Sequence, residues 1–139
     1  KEYGEERHAY KIAKKIKDLK GEISVLSITS IVDRVTPYKY RQKTYSRIFQ
    51  ALRIAANNEL DHLSRFLDDF INLLNPQGRI VIISYHSVED RIVKHKLKEL
   101  KHNKKIELIY KKPVIPSEEE VINNKRSRSA KMRVGEKIG

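Results

Sequence analysis

Residues 75–91 read Asn75-Pro76-Gln77-Gly78-Arg79-Ile80-Val81-Ile82-Ile83-Ser84-Tyr85-His86-Ser87-Val88-Glu89-Asp90-Arg91, and this stretch decides the fold class. Asn75, Pro76 and Gly78 stand where a type I turn prefers them. The four apolar residues from Ile80 to Ile83 do not alternate with polar ones, which predicts a strand covered on both faces, the condition of a parallel sheet in an α/β protein. Ser87 with Asp90 three residues on resembles a capping box, opening a helix whose Val88, Ile92, Val93, Leu97 and Leu100 face inward. Before the turn, Leu60, Leu63, Leu67, Phe70, Ile71 and Leu74 make a helical stripe over residues 59–74. Helix, strand, helix is one turn of a wound α/β sheet.

Further upstream the periodicity is helical. Ala9, Ile12, Ala13, Ile16 and Leu19 predict a helix over residues 5–20, with Gly21 as its C-terminal cap. Ser27 is placed to cap a second helix carrying Ile28, Ile31, Val32 and Val35 until Thr36-Pro37 interrupts it. The loop 38–43 is basic and aromatic, and reads either as an RNA-contacting loop or as a solvated loop anchored by its tyrosines. Thr44 can cap a third helix, which Asn57-Asn58 breaks. Downstream, residues 105–110 alternate as a strand, and Ser117 followed by three glutamates starts a short helix. The basic tail from Lys125 reads as a loop followed by an edge strand, since Ala130, Met132 and Val134 alternate with Lys131 and Arg133; a disordered arm is the other reading.

The chain has 139 residues, 39% of them hydrophobic, enough for one modest core or two incomplete pieces. Thirty Lys and Arg against 18 Asp and Glu give a formal charge of +12, a field suited to a polyanion, with nucleic acid the leading partner and solvated helix surface the competing explanation. With no cysteine, disulfide frameworks and thiolate zinc sites are excluded, and the spacing of the five histidines implies no metal. No apolar run approaches the ~20 residues that cross a bilayer, so a cytoplasmic protein without membrane contact is expected.

Chemistry points back to the opening stretch. Ser84, His86, Glu89 and Asp90 crowd the carboxyl end of a buried strand, where open α/β sheets bind ligands. Against this stands the reading in which Ser87 and Asp90 only cap a helix and His86 bonds backbone. His86 has no cysteine partner, there is no Gly-x-Ser-x-Gly elbow, and no two of Gly4, Gly21, Gly78, Gly135 and Gly139 are close enough to cradle a nucleotide.

Several ordered motifs are specific: Tyr3-Gly4-Glu5-Glu6-Arg7, Arg47-Ile48-Phe49-Gln50-Ala51-Leu52-Arg53-Ile54, Asn58-Glu59-Leu60, Gly78-Arg79, the run from Ile83 to Arg91, and Arg126-Ser127-Arg128-Ser129-Ala130-Lys131-Met132-Arg133. Together they resemble the C-terminal half of the MraW/RsmH family, which methylates the exocyclic amine of a cytosine in 16S ribosomal RNA with S-adenosylmethionine. The resemblance implies an α/β fold: residues 1–57 as the latter part of a helical RNA-recognition insert, and 58–139 as the second half of a Rossmann-like methyltransferase sheet. It places no cofactor-binding residue in this chain, so a partial enzyme is expected, with the missing N-terminal half supplied in trans as one partner and a homodimer as another. A non-catalytic basic RNA-binding module, or an inactive truncated product, is the alternative. On position and charge, Ser84, His86, Glu89 and Asp90 are expected to border the pocket, and Lys39, Arg41, Arg47, Arg53, Arg126 and Arg128 to contact RNA phosphates.

Overall fold

A computed structural model describes residues 2–139; Lys1, where the expected helical portion begins, lies outside the described residues. The elements are α1 (Ala9–Lys17), α2 (Val25–Val35), α3 (Arg41–Asn57), α4 (Glu59–Leu73), β1 (Arg79–Ser84), α5 (Ser87–His102), β2 (Ile106–Leu108), α6 (Glu118–Asn123) and β3 (Lys131–Lys137), with 3-10 turns at Tyr38–Tyr40 and Lys125–Ser129. The fold is mixed α/β and divides into two compact units, Lys1–Glu59 and Leu60–Gly139. No helix among the described residues is long and apolar enough to cross a membrane.

The first unit is helical around Ile12, Ile28, Ile31, Val32 and Ile48. Its helices begin and end differently from the sequence expectation. Ser24, not Ser27, caps α2: its hydroxyl accepts from the Ser27 amide at 3.1 Å while the Ser27 hydroxyl accepts from the Ser24 amide at 3.0 Å, a reciprocal capping box. The tyrosine-rich loop is a single 3-10 turn, and α3 starts at Arg41, leaving Thr44 buried inside the helix rather than capping it. Arg41 explains the tight α2–α3 connection, because its guanidinium donates to the carbonyls of Asp33 (2.9 Å) and Thr36 (3.3 Å), satisfying groups that the end of α2 leaves without a helical partner. Asn58, at φ 50°, closes α3 in the left-handed conformation expected of an Asn pair at a helix end. Gly21 is also left-handed, but lies beyond the end of α1 at Lys17.

In the second unit, α4 follows its predicted stripe, and Leu67, Phe70 and Ile71 join Ile80, Val93, Leu97, Leu100 and Ile106 in one core. Each of these fully buried side chains contributes about 1.5–3 kcal/mol relative to exposure. Gly78 N–H donates to the Asn75 carbonyl at 2.8 Å, closing the turn into β1. Gln77 has φ 62°, the mark of a type II rather than a type I turn.

The sheet corrects three expectations. It is antiparallel with strand order β1-β3-β2, so the basic tail strand is central, not an edge. β1 is covered on one face only: Ile80 and Ser84 are buried, whereas Val81 and Ile83 are 57% and 51% exposed. The unbroken apolar run had suggested two covered faces. Both β1 and β2 run antiparallel to β3, so they are parallel to each other and joined by α5, with β3 inserted between them. The α/β crossover is therefore present, split by one antiparallel strand. The edge of β1 away from β3 carries no strand among the described residues.

Candidate functional site

Direct pairing sets the faces. Ile82 lies opposite Arg133 and Ser84 opposite Lys131, so these side chains share the sheet face on which α5 packs. The first turn of α5 brings Asp90 onto the same cluster. Its carboxylate accepts from Arg133 Nε at 2.7 Å and Nη2 at 3.2 Å, and from Lys131 Nζ at 3.4 Å. Burial opposes the Asp90 charge, but the hydrogen bonds and charge of Arg133, helped by Lys131, outweigh it and hold the carboxyl below its usual range. Asp90 thus ties the start of α5 to β3.

The cap of α5 is His86, one residue earlier than the sequence suggested. Its Nδ1 accepts from the Glu89 amide at 3.3 Å, and Glu89 reaches back so that Oε2 accepts from the Tyr85 amide at 3.2 Å. The imidazole thus does the work of a capping hydroxyl, while Glu89 reaches past the cap to the amide of the preceding residue. Because Nδ1 accepts, the neutral ring carries its proton on Nε2. That atom is buried, and although Glu89 Oε1 stands 3.1 Å away, the oxygen does not meet hydrogen-bond geometry; the contact is electrostatic, and Nε2–H is left without an acceptor. Ser84 is buried beneath the turn and Tyr85 is exposed beside it. The cluster thus offers one buried donor next to a carboxylate with acceptor capacity to spare.

The expected phosphate contacts separate into two groups. In the first unit, Arg41 braces α2, Arg47 lies 3.5 Å from the buried Glu6, and Arg53 makes a two-pronged pair with Glu59 at 2.8 and 3.1 Å. Burial raises the pKa of Glu6, yet its bonds to the His8 amide, Arg47 and Thr44 bring it below the ordinary value. Lys39 sits over the Tyr40 ring at 4.8 Å, and Arg41 over Tyr38 at 5.4 Å. A cavity of about 430 Å³ is lined by Arg7, Tyr40, Lys43, Arg47 and the buried Thr36, whose hydroxyl has no partner; of the expected contacts only Arg47 reaches it. In the second unit, Arg126 and Arg128 are exposed on their 3-10 turn, with no ion-pair partner among the described residues. The roles of Lys131 and Arg133 were missed: their alternation marked a strand, but nothing local marked a carboxylate 41 and 43 residues before them.

The residues present do not fit a nucleotide cofactor. The β1–α5 turn is Tyr85-His86 rather than glycine, Gly78 lies at the opposite end of β1, and a Cβ on Gly135 would meet Ile106 Cδ1 at 3.1 Å, a packing role in mid-strand.

The profile of the MraW methylase family matches residues 1–138. Proteins named ribosomal RNA small subunit methyltransferase H are similar over nearly the whole chain: that of Leptospira borgpetersenii is 45% identical across 95% of this chain and 44% of its own length. That of Nostoc punctiforme is 45% identical across 98% and 46%, and that of Dictyoglomus turgidum 44% identical across the same shares. The chain therefore spans less than half the length of these relatives, and it belongs to the MraW methylase family.

Proposed function

We propose that this chain is the RNA-facing portion of an S-adenosylmethionine-dependent methyltransferase that modifies the exocyclic amine of a cytosine in 16S ribosomal RNA. The observation that carries the reading is the buried, unpartnered His86 Nε2–H beside the Glu89 carboxylate at the carboxyl end of β1. The pairing edge of cytosine presents an amine donor next to ring and carbonyl acceptors; Glu89 can accept from the amine while His86 donates to an acceptor beside it. A base extruded from its stack can be oriented this way without any nucleophilic side chain. Ser84 underlies the turn, and Asp90 acts as a positioning residue by fixing the start of α5.

In this reading residues 1–57 are the latter part of a helical insert and 58–139 the second half of a Rossmann-like sheet, which the open edge of β1 supports. The cofactor is assigned to the part of the relatives' length that this chain does not match, and S-adenosylmethionine supplies the methyl group there. The complementary half, 16S ribosomal RNA and a second copy of the chain are the proposed partners, in the cytoplasm. The missing glycine cradle also favours a second reading, a non-catalytic RNA-binding module.

Calorimetry with S-adenosylmethionine and, separately, a cytosine-containing small-subunit RNA tests the reading. The chain alone is expected to bind the RNA and not the cofactor. His86→Asn, which keeps a capping acceptor and removes Nε2–H, is expected to weaken the cytosine-containing RNA by about tenfold. Stoichiometric cofactor binding, or unchanged affinity in the variant, overturns it.

A further inference from the structure

A second basic feature lies away from the His86 turn. Between α5 and the segment following β2 is a groove of about 250 Å³ whose lining includes Lys94, Lys98, Tyr110, Lys111, Lys112 and Arg133, and no acidic side chain. Arg133 is already neutralised by Asp90, so the four lysines set the field. Lys94 and Lys98 stand one helical turn apart, a like-charge spacing that destabilises a helix unless something offsets it. The other face of α5 offsets its charge, since Lys96 pairs with Asp68 at 2.7 Å and Glu99 at 3.3 Å. The groove lysines have no ion-pair partner among the described residues, and all four are exposed. Tyr110, half exposed, supplies an aromatic face among them.

We infer that this groove is a phosphodiester-binding track for single-stranded RNA, with Lys94, Lys98, Lys111 and Lys112 on successive phosphates and Tyr110 stacking on a base. The inference rests on the ribosomal RNA reading above and adds to it a site and a direction. At 1.5 Å per residue, Lys94 lies roughly 10 Å along α5 from its capped start, the axial span of about three stacked nucleotides. One strand can therefore present a base to His86 while its flanking phosphates occupy the groove. Stacking needs no base identity, so the track contributes affinity and register, leaving base choice to the turn.

The test is fluorescence anisotropy of a single-stranded small-subunit RNA fragment against potassium chloride concentration, using the full chain. Lys94→Gln/Lys98→Gln and Lys111→Gln/Lys112→Gln are each expected to lower the slope of log affinity against log salt by about 1.4, and their combination by about 2.8. Lys101→Gln/Lys105→Gln, beyond the groove, is expected to lower it far less. Tyr110→Ala is expected to weaken binding about tenfold, and Tyr110→Phe to retain it. Circular dichroism confirms that each variant is folded. If the wild-type chain shows no salt-sensitive RNA binding, the ribosomal RNA reading falls and the track with it. If it binds but the groove variants match the Lys101→Gln/Lys105→Gln control, the track alone is overturned. Retained RNA affinity with lost affinity for polyglutamate makes the groove a protein-docking site and likewise overturns the proposal.

Discussion

Replacing Asp90 with leucine leaves Arg133 facing a low-dielectric contact without its counterion, and the structure sets the size of the effect. Both side chains of the pair are nearly buried, with 11% and 14% exposure, and they share two charge-assisted hydrogen bonds. At roughly 1.5 kcal/mol for each bond the loss is about 3 kcal/mol, the lower end of what breaking one side of a buried pair costs. Lys131, longer in reach at 3.4 Å and 41% exposed, adds less than about 0.5 kcal/mol. For a unit of this size, 3 kcal/mol lowers Tm by roughly 12–24 °C. The assay is urea and thermal denaturation of wild type, Asp90→Leu, Arg133→Met and the double variant. The double variant is expected within about 1 kcal/mol of wild type, since an apolar pair can replace a buried ion pair, so the cycle yields a coupling of at least about 2–3 kcal/mol, larger by whatever Arg133→Met costs alone. The pH dependence follows from the lowered carboxyl pKa in the folded chain. The stabilisation is complete above the unfolded value of about 4 and disappears as pH falls through the lower folded value. The double variant therefore loses part of the acid sensitivity of wild type. A coupling below about 0.5 kcal/mol, or identical acid limbs, refutes the assignment of Asp90 as the tie between α5 and β3.

Two further outcomes are expected. Gly4→Ala would place a Cβ 2.5 Å from the Arg47 carbonyl oxygen, a backbone atom that cannot swing aside, so the variant should lose about 1–3 kcal/mol by urea denaturation; an unchanged midpoint would show that the Gly4 segment does not pack on α3. Val81→Lys/Ile83→Lys should leave the chain's melting temperature within about 3 °C, because both positions are exposed, and should abolish pull-down of the complementary half of a relative; undiminished capture would show that the complementary half does not cover this face of β1.

Local signals made much of the fold legible. The stripe from Leu60 to Leu74, the turn at Pro76 and the run from Ile80 to Ile83 correctly placed α4, β1 and α5, because each depends on neighbours a few residues apart. What failed depends on distant partners. An apolar run does not distinguish a strand with two covered faces from one with Val81 and Ile83 exposed, and the alternation of Lys131 to Val134 does not reveal that β1 and β2 flank it. Hydroxyls are the familiar caps at helix starts, and that preference misplaces three of them: Ser87 lies one residue past the capping imidazole of His86, Ser27 is the reciprocal partner of Ser24 three residues before it, and Thr44 lies inside α3. Among the pocket residues, the crowding of Ser84, His86, Glu89 and Asp90 was readable, while the division of labour between Glu89 at the turn and Asp90 against β3 required coordinates.

The central position of β3 has a consequence for how the sheet comes into being. Arg79 pairs with Glu136, 57 residues later, and β1 and β2 have no ladder of their own without the strand between them. A chain emerging from the ribosome at 5–20 residues per second must hold β1 without its partner for roughly 3–11 s. During that interval the amides of β1 that face β3 wait for their ladder partner, and α4 and α5 shield its apolar side. Native-state hydrogen exchange should carry the trace of this order, with the amides of β3 among the slowest in the second unit and vanishing from protection together with both flanking strands.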